Sequence, residues 1–130
     1  MLPGEIYWAY LFGNQRHPVV VVSREALNRG DYFVAVPLTS QRIDIRKTLP
    51  NCVYFPKGAH GLPKECVAQA EAMSQMRKSQ LATSDGCIGK LSESTLAALI
   101  SAIGNVIGAD CFPATAEAST STDNGPCLDE

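Results

Sequence analysis

The sequence predicts a mainly β domain of the α+β class, a compact and strongly bent sheet or small barrel closed by one C-terminal helix. Three observations lead there. Short β-branched or alternating apolar runs recur over residues 5–70, with Gly- and Pro-rich turns between them. One stretch, after Ser92, keeps helical spacing. A chain of 130 residues, 45% hydrophobic and 18% charged, buries roughly two-thirds of its unfolded surface, enough for one core without metal or disulfide staples.

Residues 5–11 alternate Ile6, Trp8 and Tyr10 with Tyr7, Ala9 and Leu11 before Gly13-Asn14 breaks the run, which predicts a first strand and a loop. Pro18 opens Val19-Val20-Val21-Val22, too short for a helix and apolar on both faces, hence a central strand with proline at its first position. Asn28-Arg29-Gly30-Asp31 is turn chemistry. A third strand follows over residues 32–38, and then a polar loop over 39–48. Residues 52–55 form a short strand stopped by Pro56, residues 57–63 a turn-rich connection, and residues 66–70 a fifth apolar stretch. Residues 73–82 fit either a continuing strand or a helical turn, and periodicity does not choose between them. The helix starts at Ser92, an N-cap followed by Glu93 in the first turn, where a carboxylate complements the helix dipole. Leu96, Leu99, Ile100, Ile103 and Ile107 form one apolar stripe to pack on the sheet, and Gly108 is placed for a left-handed cap.

Charge divides the chain unevenly. Eleven Lys and Arg stand against thirteen Asp and Glu, but four of the acids lie in residues 111–130, which have no base, so residues 1–110 carry a formal +2. That composition predicts a domain at 1–110 and a disordered acidic tail at 111–130. Residues 41–64 hold Arg42, Arg46, Lys47, Lys57 and Lys64 against Asp44 alone, an excess suited to a phosphate backbone or to a solvated loop. The five cysteines are odd in number and lack CxxC spacing, with only His17 and His60 beside them, so free thiols are expected and no metal site. No apolar stretch approaches the ~20 residues of a membrane span. The first residues lack a secretory pattern, which makes the cytoplasm the expected location.

Gly4-Glu5-Ile6-Tyr7-Trp8, Arg16-His17-Pro18 leading into the valine run and Ser23, Val36-Pro37-Leu38-Thr39-Ser40-Gln41, and Ile88-Gly89-Lys90-Leu91 before Ser92 occur in an order and spacing that resembles the MazF/PemK family of toxin endoribonucleases. The resemblance covers about residues 4–110. It implies a small SH3-like β-barrel of MazF/PemK (CcdB-like) type with a C-terminal helix, assembled as a homodimer, that cuts single-stranded RNA, such as mRNA, at specific sequences without metal or other cofactor and so inhibits growth. The partner implied is a cognate antitoxin whose acidic or amphipathic segment covers the RNA groove. The cut uses the ribose 2′-hydroxyl and leaves a 2′,3′-cyclic phosphate, so the protein must align that oxygen, stabilise phosphorane charge and help move protons.

In the family an Arg before the second-strand Pro and the first Thr of the third-strand motif form the catalytic pair. Thr39 matches the latter. His17 stands in the Arg slot, with Arg16 one residue earlier, and consecutive strand residues point to opposite faces. The resemblance therefore implies a composite site: Arg16 stabilises charge, Thr39 binds phosphate, and His17 assists proton transfer or positions RNA. A local rearrangement at the loop-to-strand junction would aim Arg16 at the phosphate. Ser40, Gln41, Arg42, Arg46 and Lys47 are the expected RNA contacts. Glu71 matches an acidic position that relatives often follow with Gln, where this chain has Ala72, and His60 is expected at the surface. The alternative keeps the fold without the chemistry: a non-catalytic toxin that poisons a topoisomerase, or an inactive relative that binds RNA or antitoxin.

Overall fold

The alternating N-terminal run forms β1 (Glu5–Leu11). The structure is a computed structural model and describes residues 1–11, 13–82 and 86–109; the expected tail at 111–130 lies outside these residues. β2 (Gln15–Val21) returns antiparallel to β1, with Trp8 opposite Pro18, Ala9 opposite His17 and Tyr10 opposite Arg16. The strand thus begins three residues before Pro18, because pairing with β1 draws Gln15, Arg16 and His17 into the ladder. Proline fits inside it because β2 meets its second neighbour, β3 (Tyr32–Thr39), only from Val19 onward.

β3 is the hub of the sheet. Its first half pairs with β6 (Ser74–Arg77), and Leu38 and Thr39 pair with β5 (Cys66–Gln69). Pro37, with no N–H to donate, sits between those two partners. β4 (Cys52–Phe55) extends the sheet beyond β5, and β7 (Cys87–Lys90) lies along the outer side of β1. After β6, a 3₁₀ turn at Lys78–Gln80 leads to Leu81, which bridges Ala9, and the Ala82 N–H donates to the Trp8 carbonyl at 2.9 Å. Chain leaving one side of β3 so arrives at β1, and the antiparallel sheet curls into a half-barrel as expected. Residues 73–82, ambiguous by periodicity, hold a strand and a helical turn in succession.

The valine run serves two cores. Val20 packs with Ile6, Val36, Leu38, Phe55 and Leu62 on one face, and Val19 and Val21 pack with Ala9, Phe33, Ala35 and Met76 on the other. Each strand supplies both cores by alternation. The helix α2 (Glu93–Val106) covers the first core, with Ser92 Oγ accepting the Thr95 N–H at 3.3 Å and Gly108 left-handed at φ 74°. Leu99 and Ala102 are buried, and Leu96 and Ile103 pack against the cluster. Burying a leucine such as Leu99 contributes about 2 kcal/mol. The predicted stripe is wider than the contact: Ile100 and Ile107 are 56% and 67% exposed, since the sheet meets only the 96–99–103 side.

Two elements break the expected loops. α1 (Ile43–Arg46) is one short helix inside the polar stretch, and β7 forms from Cys-Ile-Gly-Lys, whose strand character comes from pairing with β1. Close backbone contact explains Gly89 and Gly61. A Cβ on Gly89 would lie 1.7 Å from the His60 carbonyl oxygen, and one on Gly61 would lie 2.2 Å from that of Ile88. This contact pins the 57–63 connection and sets Leu62 into the core.

Candidate active site

β2 and β3 stop pairing beyond Val19 and Pro37, and cavities open where they part. In an antiparallel pair, residues directly opposite share a face. Trp8, Arg16, Pro18 and Leu38 therefore belong to the face of the larger core, whereas Gln15, His17, Pro37 and Thr39 belong to the other. Continuing the β2–β3 register past its last pair sets His17 opposite Thr39.

The first cavity, about 210 Å³, is lined by Trp8, Arg16, Pro18 and Leu38 from the strands, by Leu62 and Pro63 from the pinned connection, by Lys64 just after it, and by Cys66. His17, Thr39, Ser40 and Gln41 complete its rim. The exposed Arg16 guanidinium lies over the Trp8 indole, 4.8 Å from the ring centroid, a cation–π contact that restrains a long side chain without discharging it. β2 is regularly paired with β1 through Arg16 and His17, so the expected rearrangement at that junction does not occur there. Cys66 sits at the back, its thiol pushed up to about 11 by burial and by the nearby Glu65 charge. It stays protonated near neutral pH and is a poor nucleophile.

The second cavity, about 270 Å³, lies on the opposite face, lined by Gln15, His17, Thr39, Gln41, Arg46 and Gln69 over Leu11 and Pro37. Arg42, left-handed at φ 54°, turns the chain out of β3 into α1. The helix then carries Arg46 back: its Nη1 donates to the Gln41 carbonyl at 3.0 Å and reaches Thr39 Oγ1 at 3.5 Å. The Gln41 N–H also donates to Thr39 Oγ1, at 3.2 Å. With its oxygen accepting from both groups, the Thr39 hydroxyl is left to donate its proton outward.

Among the predicted residues, Arg16, His17, Thr39, Ser40 and Gln41 meet at the first cavity, and His17, Thr39, Gln41 and Arg46 meet at the second. Arg42 and Lys47 line neither. Lys47 lies over the Tyr54 ring at 5.6 Å and 3.9 Å from Asp44. His60 packs edge-on to Phe55, and Ala72 is on the second cavity's wall. Trp8, Lys64, Gln15 and Gln69 were not legible as site residues; the basic excess over 41–64 pointed to Lys64 alone. Among the described residues no three His, Cys, Asp or Glu side chains cluster to hold a metal ion, and no helix is long and apolar enough to cross a membrane.

The family model described as PemK-like, MazF-like toxin of type II toxin–antitoxin systems matches residues 2–107. Solved structures share the fold. An endoribonuclease from a mycobacterial species, solved with its cognate antitoxin, is 25% identical with a TM-score of 0.68, over 83% of this chain and 95% of that one. The Mycobacterium tuberculosis toxin MazF-mt6 is 24% identical with a TM-score of 0.67, over 80% and 96%. MazF in the MazE–MazF structure from Deinococcus radiodurans is 22% identical with a TM-score of 0.66, over 83% and 95%. No match was found among the curated proteins.

Proposed function

From the premise that the chain belongs to the PemK-like, MazF-like toxins of type II toxin–antitoxin systems, we propose that it is a metal-independent endoribonuclease that cuts single-stranded mRNA and inhibits growth. The observation that carries this reading is the convergence of Arg16, His17 and Thr39, with Lys64, on one cavity built from β2, β3 and the 57–63 connection. The chemistry follows from those groups. The ribose 2′-oxygen attacks the adjacent phosphorus, and a new 2′-O–P bond forms as the P–O5′ bond breaks. The 2′-proton leaves to a base and the 5′-oxygen gains one. His17, whose imidazole can both accept and donate a proton, is the group placed for that exchange. The Thr39 hydroxyl donates to a non-bridging oxygen, and the Arg16 guanidinium opposes the charge that builds on the phosphorane.

The partner is a cognate antitoxin, as the mycobacterial and Deinococcus proteins have in their solved complexes, here one whose acidic or amphipathic segment fills the basic groove. A homodimer is the proposed assembly. Ile100 and Val106, exposed on α2, and Ile107, exposed just past its end, offer it an apolar surface, and the mass of the purified protein in solution checks it.

The test is incubation of antitoxin-free protein with a long single-stranded RNA in EDTA, with fragment ends mapped. Discrete cuts bearing 2′,3′-cyclic phosphate are expected. Intact RNA across varied sequences would overturn the reading in favour of a non-catalytic toxin of the same fold.

A further inference from the structure

We propose that the acidic segment 111–130 docks on the basic surface of α1 in the same chain and shields it from polyanions, so that it lowers the affinity for RNA. The contact itself goes beyond the ribonuclease reading, and only its effect on RNA rests on that reading. Arg42 and Lys47, expected at the site, line neither cavity beside Thr39. Their charges are therefore unused by the chemistry. Residues 111–130, outside the described residues, hold Glu117, Asp123, Asp129 and Glu130 and no Lys or Arg. Across residues 41–50 the opposite holds: Arg42, Arg46 and Lys47 stand against Asp44 alone.

The chain leaves the domain beside this surface. Gly108, left-handed at φ 74°, turns it at the end of α2, and Ala109 comes to lie over Gly104. There Ala109 shares a cleft of about 390 Å³ with Ser101, Asn105 and Pro50, and Pro50 is three residues after Lys47. Consecutive Cα spacing keeps Arg46 within about 15 Å of Pro50, and Glu117, eight residues after Ala109, has a reach of about 26 Å. The surface is also of the right kind. Ile45 and Leu49 are 64% and 39% exposed among the bases, which suits a segment both acidic and apolar. This one opens with Cys111-Phe112-Pro113 before its first carboxylate. Lys47 has one ion pair, 3.9 Å to a fully exposed Asp44, a surface contact worth little and readily shared with a second carboxylate. Tethering supplies the rest. A linked group acts at an effective concentration of about 1 mM, so a contact with a Kd of about 0.3 mM is about three-quarters formed within one chain.

The experiment compares the full chain with a variant in which the four carboxylates become amides: Glu117→Gln, Asp123→Asn, Asp129→Asn and Glu130→Gln. NMR amide shifts of residues 42–50 should differ between the two at about 50 mM salt and converge at about 0.5 M, where charges are screened within a few ångströms. Fluorescence anisotropy with a 2′-fluoro RNA, which lacks the attacking hydroxyl, should show about fourfold tighter binding by the amide variant, as release of a three-quarters occupied surface requires. In an Arg42→Gln, Lys47→Gln background the same amide substitutions should gain less than about 1.5-fold, because the contact they relieve is already lost. Unshifted amides at residues 42–50 or an unchanged affinity for the RNA would overturn the proposal. So would an equal gain in both backgrounds, which means net charge alone, or shifts that grow with protein concentration, which assign the contact to a second copy. Cleavage of unmodified RNA is scored separately. Its absence beside the expected shifts and affinities sinks the ribonuclease chemistry and leaves the contact standing, whereas cleavage without them does the reverse.

Discussion

The two sides of the sheet at residues 15–18 treat neighbouring side chains differently. Arg16 faces the larger core's side, stacked on Trp8 in a cavity closed by the 57–63 connection. His17, one residue on, faces the other side with Thr39 and Arg46. The strand alternates with a period of two, so a one-residue displacement of an arginine along β2 is a change of face rather than a small shift. The Thr39 hydroxyl is partnered by a guanidinium from α1 and not from β2.

The strongest way to break this contrast is to remove the hydroxyl common to both cavities. Thr39→Ala should lower single-turnover cleavage of an unpaired RNA by about 10²- to 10³-fold, the cost of losing one preorganised donor to developing charge. A loss below about tenfold would place that hydroxyl outside the reaction. The two arginines then separate the faces. Arg16→Gln is expected to cost about 10- to 100-fold in the chemical step, because its guanidinium opposes charge that builds on the phosphorane. Arg46→Gln should cost about tenfold or less, mostly in KM, as loss of a phosphate contact made equally before and in the transition state does. Equal losses in kcat for both variants would erase the distinction between the cavities.

The smallest effect concerns thiols. Cys66 lies at the back of the first cavity and Cys87 on the exposed edge strand. At pH 8, alkylation followed by peptide mapping should modify Cys87 at least about tenfold faster than Cys66, whose raised pKa and burial withhold the thiolate. The sign of the linked stability follows. The folded state favours the Cys66 thiol, so this contribution is complete below the ordinary value of 9.0 and declines as pH rises toward about 11. Rapid labelling of Cys66 at pH 8 would mean that the cavity opens.

Much of the domain was legible in the sequence. Alternation and β-branching marked β1, β3 and the valine run, because each strand must feed apolar residues to a core by parity. The two-sided burial of Val19, Val20 and Val21 follows from a run with no polar face. Ser92, Glu93 and Gly108 marked the helix ends, since capping is satisfied within a few residues. Thr39 and Gln41, expected at the site through the motif that contains them, line both cavities.

What local pattern cannot carry, the tertiary structure decided. β7 is a strand because β1 offers it an edge, and Gln15–His17 join β2 for the same reason. Gly61 and Gly89 are required by each other, across 28 positions of sequence. Arg46 reaches Thr39 because a left-handed Arg42 reverses the chain, and Gln15 and Gln69 share a wall because β3 stands between their strands. The sequence by itself determined the fold class, the helix and the residue types at the site. Which face each of those residues serves was decided by strand register, a property of paired backbones that no single segment contains.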